Sequence, residues 1–379
     1  MSEYQYYEWQ TADRLLTADE QQAVNSLSSH IEVSSSQAVV TYSWGDFKHN
    51  PRQVLIRFFD AHLYRANWGS RRLMFRFPAG LLSASLIASF CVREHIAFNT
   101  TGGFDILDMD LSDKEGGDWI EGGGWLSGLI PLRNDILGGD YRSLYLAWLK
   151  AMDLTGGETS RRGQDDSEGL PPIVPAGLGQ LSPALERFAE LFEIPACLIE
   201  AATEISSPVA ESEAIDFLPL AARLPRDVCD AFLGRVAQGD TRAGLELRKR
   251  LLSLMPPSPT APEVRRTATQ LLQRAKVIQV AREAREQERA RKQHEDEMKD
   301  LASREEEIWS QVASLVGLKK TTGYDEAVQL LAKLAQLAAF RKTQDDFRRR
   351  VRDLRDRYKR LSGFQWRVDQ AKFLDGEQQ

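Results

Sequence analysis

The segment from Glu263 to Val316 contains neither Gly nor Pro, and Pro262 and Gly317 bracket it. Those two residue types are the ones that interrupt a helix interior at a high free-energy cost. The 54 residues between them therefore read as a long helix, which at 1.5 Å per residue would extend roughly 80 Å if unbroken. An apolar stripe of Val264, Ala268, Leu271, Ala275 and Ile278 marks its start. A second stripe, Met298, Leu301, Glu305, Ile308, Val312 and Leu315, marks its end in a different heptad phase. Between them, Arg282 to Asp300 is nearly all charge, with Ala284, Ala290 and Met298 as its apolar members. Pairs such as Arg282/Glu286, Glu288/Lys292, Arg291/Glu295 and Glu295/Lys299 fall at the i,i+4 spacing that supports a solvated helix. No apolar seam crosses the middle, so a spacer helix between two packed ends fits better than a continuous dimeric coiled coil.

This segment divides the chain by charge. The formal net charge is −6, but residues 1–262 carry −12 and residues 263–379 carry +6. Hydrophobic residues make up 42% of the chain and charged ones 27%, as in a globular protein that buries a core. No apolar run approaches the 18 residues of a membrane span, so no membrane partner is expected. The opening MSEYQYYEWQ has no basic and apolar leader, and Cys91, Cys197 and Cys229 are few and scattered. Both features lead to the expectation of a reducing, cytoplasmic setting.

Residues 1–152 interleave strand and helix signals. Tyr4–Gln10, Ile31–Trp44 interrupted at Ser34–Ser36, Arg71–Pro78, and Ile96–Leu111 broken at Gly102-Gly103 read as strands. Thr17 and Asn50-Pro51 read as helix starts, the second opening a helix that carries Leu55, Phe58, Phe59 and His62 on one face. Leu81–Phe90 and Arg142–Met152 read as further helices. The expected fold is an α+β N-terminal domain with four or five strands, then an all-α region with a long charged helix and a C-terminal helical hairpin. The expected divisions are 1–152, the α+β domain; 153–181, a flexible linker; 182–255, a small helical domain; 256–262, a Pro-rich linker; 263–316, the long charged helix; and 317–379, a basic helical region. Leu185, Phe188, Leu191, Phe217, Leu220, Val228, Phe232 and Leu247 are the expected core of 182–255. In the last region a helix over Asp325–Leu361 carries Phe340, Phe347, Val351, Leu354, Tyr358 and Leu361, a stripe able to fold back on Ile308, Val312 and Leu315.

The chemistry-bearing clusters are sparse. Asp108 and Asp110 share a strand face and, with Asp105 and Asp113, form the densest acidic group; no EF-hand spacing accompanies them. Cys91 and His95 stand four apart without the further ligands a zinc site needs. His62 has Asp60 and His49 as candidate partners but no Ser or Cys motif. Gly122-Gly123-Gly124, flanked by Trp119 and Trp125, lacks the Lys-Ser/Thr of a phosphate loop. Phe188–Ile205 has helix–turn–helix length, but residues 195–205 hold no Lys or Arg, which removes the contacts DNA needs. No metal and no cofactor is expected.

The basic tail is the strongest functional feature: Arg341–Lys372 holds twelve Lys/Arg against five Asp/Glu. Arg348, Arg349, Arg352, Arg355, Lys359 and Arg360 are the candidate contacts for a partner or nucleic acid, lying largely off the apolar stripe. The opening Tyr4-Gln5-Tyr6-Tyr7-Glu8, with Trp44-Gly45-Asp46-Phe47 and Trp68-Gly69-Ser70-Arg71-Arg72-Leu73, resembles a family of bacterial proteins without a known activity; the likeness covers mainly the first 150 residues and implies a bacterial cytoplasmic setting. The expected function is a non-enzymatic interaction or scaffold role, through a protein partner or self-association of the helices. Nucleic-acid association through the tail, and an enzyme site near Asp105–Asp113 and Trp119–Trp125, stay open as alternatives.

A solvated helix over Arg282–Asp300 makes a direct prediction. Glu288→Gln with Glu295→Gln costs well under about 1 kcal/mol, whereas Ala290→Pro costs about 3 kcal/mol locally. Circular dichroism checks this: helix signal unchanged by the proline would show that no continuous helix passes through Ala290.

Overall fold

The computed structural model describes residues 4–113, 123–157, 171–208, 216–240, 243–254 and 265–374. Two compact units divide the chain, Met1–Gln279 and Val280–Gln379. The Pro-rich stretch 256–262 and the central part of the expected linker, 158–170, lie outside the described residues.

The first unit holds strands β1 (Gln5–Gln10), β2 (Glu32–Val33), β3 (Gln37–Tyr42), β4 (Ala61–Ala66), β5 (Arg71–Pro78), β6 (Ile96–Thr101) and β7 (Phe104–Asp110). Its helices are α1 (Ala18–Asn25), α2 (Pro51–Phe58), α3 (Ala84–Ala88), α4 (Ile130–Leu137), α5 (Arg142–Leu154), α6 (Pro183–Leu191), α7 (Ala196–Thr203), α8 (Phe217–Ala221), α9 (Arg226–Ala237) and α10 (Ala243–Leu252). The strands form one sheet of order β2-β3-β1-β4-β5-β7-β6, antiparallel at every pairing. Strand β1, the Tyr-rich opening, lies inside the sheet between β3 and β4.

Alternation sends side chains to two cores. Tyr6, Leu63, Leu73, Phe75 and Leu107 join a large core with α4, α5, α6 and α7. Tyr7, Trp9, Val40, Met74 and Ile106 join a smaller one with α1 and α2. Both faces are thus covered. Leu185, Phe188, Leu191 and Leu198 sit in the larger core with the strands, so α6 and α7 share their burial with residues on the other side of the expected 153–181 linker. Phe217, Leu220, Val228, Phe232 and Leu247 are only half-buried on α8, α9 and α10.

Two helix starts follow their capping chemistry. Thr17 forms a reciprocal capping box with Glu20, and the Asn50 side chain accepts from the amides of Arg52 and Gln53. The second helix is shorter than its sequence indicates. It stops at Phe58, Phe59 is extended (φ −126°, ψ 170°), and β4 begins at Ala61. The apolar run therefore switches from helical to strand period, and His62 stands on a strand.

The long helical segment is also divided. Thr267 caps α11 (Ala268–Ser303) by accepting from the Gln270 amide while its own amide donates to the Gln270 side chain. Ala268, Leu271 and Ala275 are buried in the first unit's core. Residues 282–297 are largely exposed, with ion pairs Arg291–Glu288 (2.9 Å), Lys292–Glu288 (3.5 Å) and Arg291–Glu295 (3.7 Å). Lys299 pairs with Asp296 at 3.0 Å, not with Glu295. The helix ends at Ser303, Arg304 leaves helical geometry (φ −108°, ψ 10°), and α12 (Glu305–Gly317) begins with three glutamates in its first turn. Acidic residues there complement the helix dipole, so the break has a sequence cause although no Gly or Pro marks it.

The second unit continues with α13 (Thr321–Arg341), α14 (Gln344–Arg357) and α15 (Ser362–Gln370). The expected helix over 325–361 is therefore two helices, and the expected 319–322 loop already contains the start of α13. Lys342 takes the left-handed conformation (φ 57°) and caps α13, while Asp345 and Asp346 open α14. Phe340, left on the far side of that break, is half exposed. Ile308, Val312, Leu331, Leu334, Phe347, Val351, Leu354, Phe364 and Val368 form one core. Here α12 and α13 pack closely enough that a Cβ at Gly323 would lie 2.8 Å from the Leu315 carbonyl oxygen.

That approach predicts that Gly323→Ala destabilises the helical unit by about 1–3 kcal/mol through overpacking. Leu354→Ala, which empties a buried position, costs about 2–5 kcal/mol. Faster amide hydrogen exchange in α12 and α13 reports both; unchanged exchange in Gly323→Ala would mean the two backbones are not in contact there.

Candidate functional site

Most charged groups of the sheet are engaged internally. Asp60, buried at the junction of α2 and β4, accepts from the amides of Ala12 (2.7 Å) and Asp13 (3.0 Å) and from Arg76 Nη2 (2.8 Å). Arg133 of α4, fully buried, forms a fork on Asp13 (2.8 and 2.7 Å) and donates to the Arg76 carbonyl at 2.8 Å. Burial alone would raise the Asp60 carboxyl, but Arg133, Arg76 and the two amides outweigh it and hold it below the usual carboxylate range. Glu8 is likewise committed, accepting from Tyr6 Oη, Gln37 Nε2 and the Leu126 amide.

The acidic cluster disperses in three dimensions. Asp108 holds Arg72 by two bonds of 2.7 and 2.6 Å. Asp105, on the opposite face of β7, accepts from Thr100 Oγ1 and the Gly80 amide. Asp110 accepts from Ser112, and Asp113 lies 3.7 Å from Lys150. Among the described residues no group of three or more His, Cys, Asp or Glu is arranged to hold a metal. Cys91 and His95 do not share a helix face: α3 ends at Ala88, Cys91 Sγ donates to the Ile87 carbonyl, and His95 Nδ1 bonds the Asp110 carbonyl. The turn between α6 and α7 is made by Glu193 (φ 48°), which holds Arg71 of the sheet in a two-pronged ion pair. Trp119 lies outside the described residues; Trp125 packs against the guanidinium groups of Arg65 and Arg187, two residues absent from the sequence-level candidates.

His62 is a packing residue. It is buried, stacks on Trp9 with ring centroids 4.6 Å apart, and donates from Nδ1 to the Glu8 carbonyl at 3.0 Å. Burial pushes the imidazole down to about 3, so it is neutral in the fold.

The second unit presents the basic candidates. The four- and three-residue spacing of Arg348, Arg352 and Arg355 places them along one flank of α14, beside the buried row Phe347, Val351 and Leu354. Arg348 pairs with Asp345 (3.3 Å) and Arg349 with Asp346 (2.6 Å). Arg355 reaches Asp369 of α15 (2.8 Å) and Gln365. Arg350, outside the candidate set, forks onto Glu306 (2.6 and 2.8 Å) and covers Trp309. Arg352, Lys359 and Arg360 are exposed and have no ion-pair partner among the described residues. The structure therefore separates the six candidates into three with an acidic partner, Arg348, Arg349 and Arg355, and three without one. No described helix is long and apolar enough to cross a membrane. Comparison of the chain with family models, with curated proteins and with solved structures finds no match.

The buried imidazole predicts a pH dependence. Its folded value, about 3, lies below its ordinary 6.5, so the unfolded chain binds more protons between those values. The stability involved is fully present above pH 6.5 and is lost as pH falls toward 3, at about 1.4 kcal/mol per pH unit. His62→Phe removes that slope; an unchanged stability profile between pH 6.5 and 4 would show that His62 is not buried as a neutral ring.

Proposed function

We propose that the protein is a non-enzymatic interaction protein, acting in the bacterial cytoplasm, whose C-terminal helical unit docks an acidic protein partner. The observation that carries this reading is the unpaired set Arg352, Lys359 and Arg360 on α14 and the turn after it. Elsewhere in this unit Arg341, Arg350, Arg355 and Arg367 each reach an acidic side chain on another helix. Exposed cations without acids steer an oppositely charged surface and add little to folding. The sheet's carboxylates support the non-enzymatic reading, since Glu8, Asp105, Asp108 and Asp110 are each already engaged in internal hydrogen bonds.

The test uses the full chain with labelled polyglutamate and a labelled DNA duplex as probes. Arg352→Gln, Lys359→Gln and Arg360→Gln together leave the melting temperature nearly unchanged, because exposed substitutions stay within about 0.5 kcal/mol. They weaken polyglutamate binding by about tenfold or more. Unweakened binding by the triple variant would remove these residues from the interface. Tighter binding to the duplex, with a log–log salt slope that falls by about one for each phosphate the variant no longer neutralises, would instead favour a nucleic-acid partner.

A further inference from the structure

Arg65 of β4 and Arg71 of β5 are register partners, and Tyr6 of β1 is the partner of Arg65 on its other side. The three side chains therefore share one face of the sheet, with two cations directly opposite each other, an unfavourable placement unless each finds an anion. Arg71 finds Glu193. On the opposite face Arg72 and Arg76 hold Asp108 and Asp60. Arg65 holds no carboxylate: its Nε and Nη1 are buried without a hydrogen-bond partner. Glu193, already held by Arg71, and Glu190 both lie near enough to favour its charge, but neither makes an ion pair with it.

The Arg65 guanidinium instead lies 4.4 Å from the centroid of a Trp125 ring, and Arg187 of α6 lies 4.8 Å from a ring of the same indole. Arg187 also has a buried Nε without a partner; its Nη2 donates to the Gly124 carbonyl at 3.4 Å. The position of Arg187 is specified by Gly128, where a Cβ would fall 2.5 Å from Arg187 Cδ. Trp125 is held from both sides in sequence: the Gly124 amide donates to Tyr6 Oη and the Leu126 amide to Glu8. Stacking on an indole fixes the plane of a guanidinium but leaves its N–H edge free to donate. Donors kept from water without an acceptor are costly, and two guanidinium groups on one indole supply them in a pair.

We propose that Arg65 and Arg187, fixed on Trp125, form a binding site for a single oxyanion group, a carboxylate or a phosphate. The site lies in the first unit and shares no residue with the basic surface of the C-terminal unit. Planar forks of N–H donors suit both oxyanions, and the anion would also relieve the repulsion between Arg65 and Arg71.

The experiment titrates the full chain with inorganic phosphate and, separately, with acetate, against chloride at equal ionic strength. Thermal unfolding and calorimetry are the readouts. One oxyanion raises the melting temperature beyond the chloride control, and the arm that binds more tightly identifies the group as phosphate or carboxylate. Arg187→Gln and Arg65→Gln each weaken that binding by about ten- to a hundredfold, the loss of charge-assisted hydrogen bonds, whereas Arg289→Gln, at an exposed position of α11, leaves it intact. Arg187→Gln is the primary variant because its side chain is half-buried and has no cation as its strand partner. No specific effect of either oxyanion on the wild-type protein, or full binding by both the Arg187→Gln and Arg65→Gln proteins, would overturn the proposal.

Discussion

The ion pairs centred on Asp60 set the arrangement of the first unit. A carboxylate with almost no solvent access costs several kcal/mol unless cations and N–H groups surround it. Asp60 obtains them from three places at once: the amides after β1, Arg76 of β5, and Arg133 of α4 through the shared partner Asp13. The chain must therefore leave α2 at Phe58, expose Asp60 to that ring of donors, and enter β4 immediately afterwards. Arg133 then lies over Phe77 and brings α4 onto the larger core. Removing one member would strand a buried charge, so the network fixes one junction geometry more firmly than apolar packing alone would.

Much of the sheet was legible because its signals are local. The alternation in Arg71–Pro78, the Gly102-Gly103 turn between β6 and β7, and the caps at Thr17 and Asn50 all act within a few residues. Strand β4 was not legible: Leu55, Phe58, Phe59, His62 and Leu63 satisfy a helical stripe as well as a helix–strand switch. The buried Asp60 that decides between them is recognised only through partners at Asp13, Arg76 and Arg133. The seven strands in place of four or five arise from β4 together with the division of Ile31–Trp44 and Ile96–Leu111 into two strands each at their interruptions. The breaks at Arg304 and Lys342 were missed for a different reason. Absence of Gly and Pro permits a continuous helix but does not require one, while Glu305–Glu307 and Asp345-Asp346 carry the N-terminal charge signature of new helices.

Candidate functional residues were legible only as clusters along the chain, and pairing in space redistributes them. Asp105 and Asp108 are three apart in sequence yet lie on opposite faces of β7, each already bonded. Arg348, Arg349 and Arg355 belong to a basic run but are engaged by Asp345, Asp346 and Asp369. Arg65 and Arg187 are separated by 122 positions in sequence and meet at Trp125 because β4 and α6 converge on the same core face. A linear reading cannot weigh such a pair, since neither residue belongs to a motif.

Charge in this protein is therefore best judged by what is left after internal pairing. The number of cations in the C-terminal part overstates its binding surface, because the acidic first turns of α12 and α14 and Asp369 of α15 pair with Arg350, Arg348, Arg349 and Arg355. Of the six candidates, Arg352, Lys359 and Arg360 are left in full solvent, where attraction is screened beyond about 10 Å at ordinary salt. The acidic character of the N-terminal part likewise conceals a cation without an ion-pair partner, Arg65. At Arg65 two donors, Nε and Nη1, are withdrawn from water beside an indole. A single anion there would interact more strongly than at the exposed face, because lower local dielectric strengthens each charge-assisted bond. The two proposed sites thus differ in what they would take: a broad, salt-sensitive acidic face at the helical unit, and one well-placed oxyanion at the sheet unit.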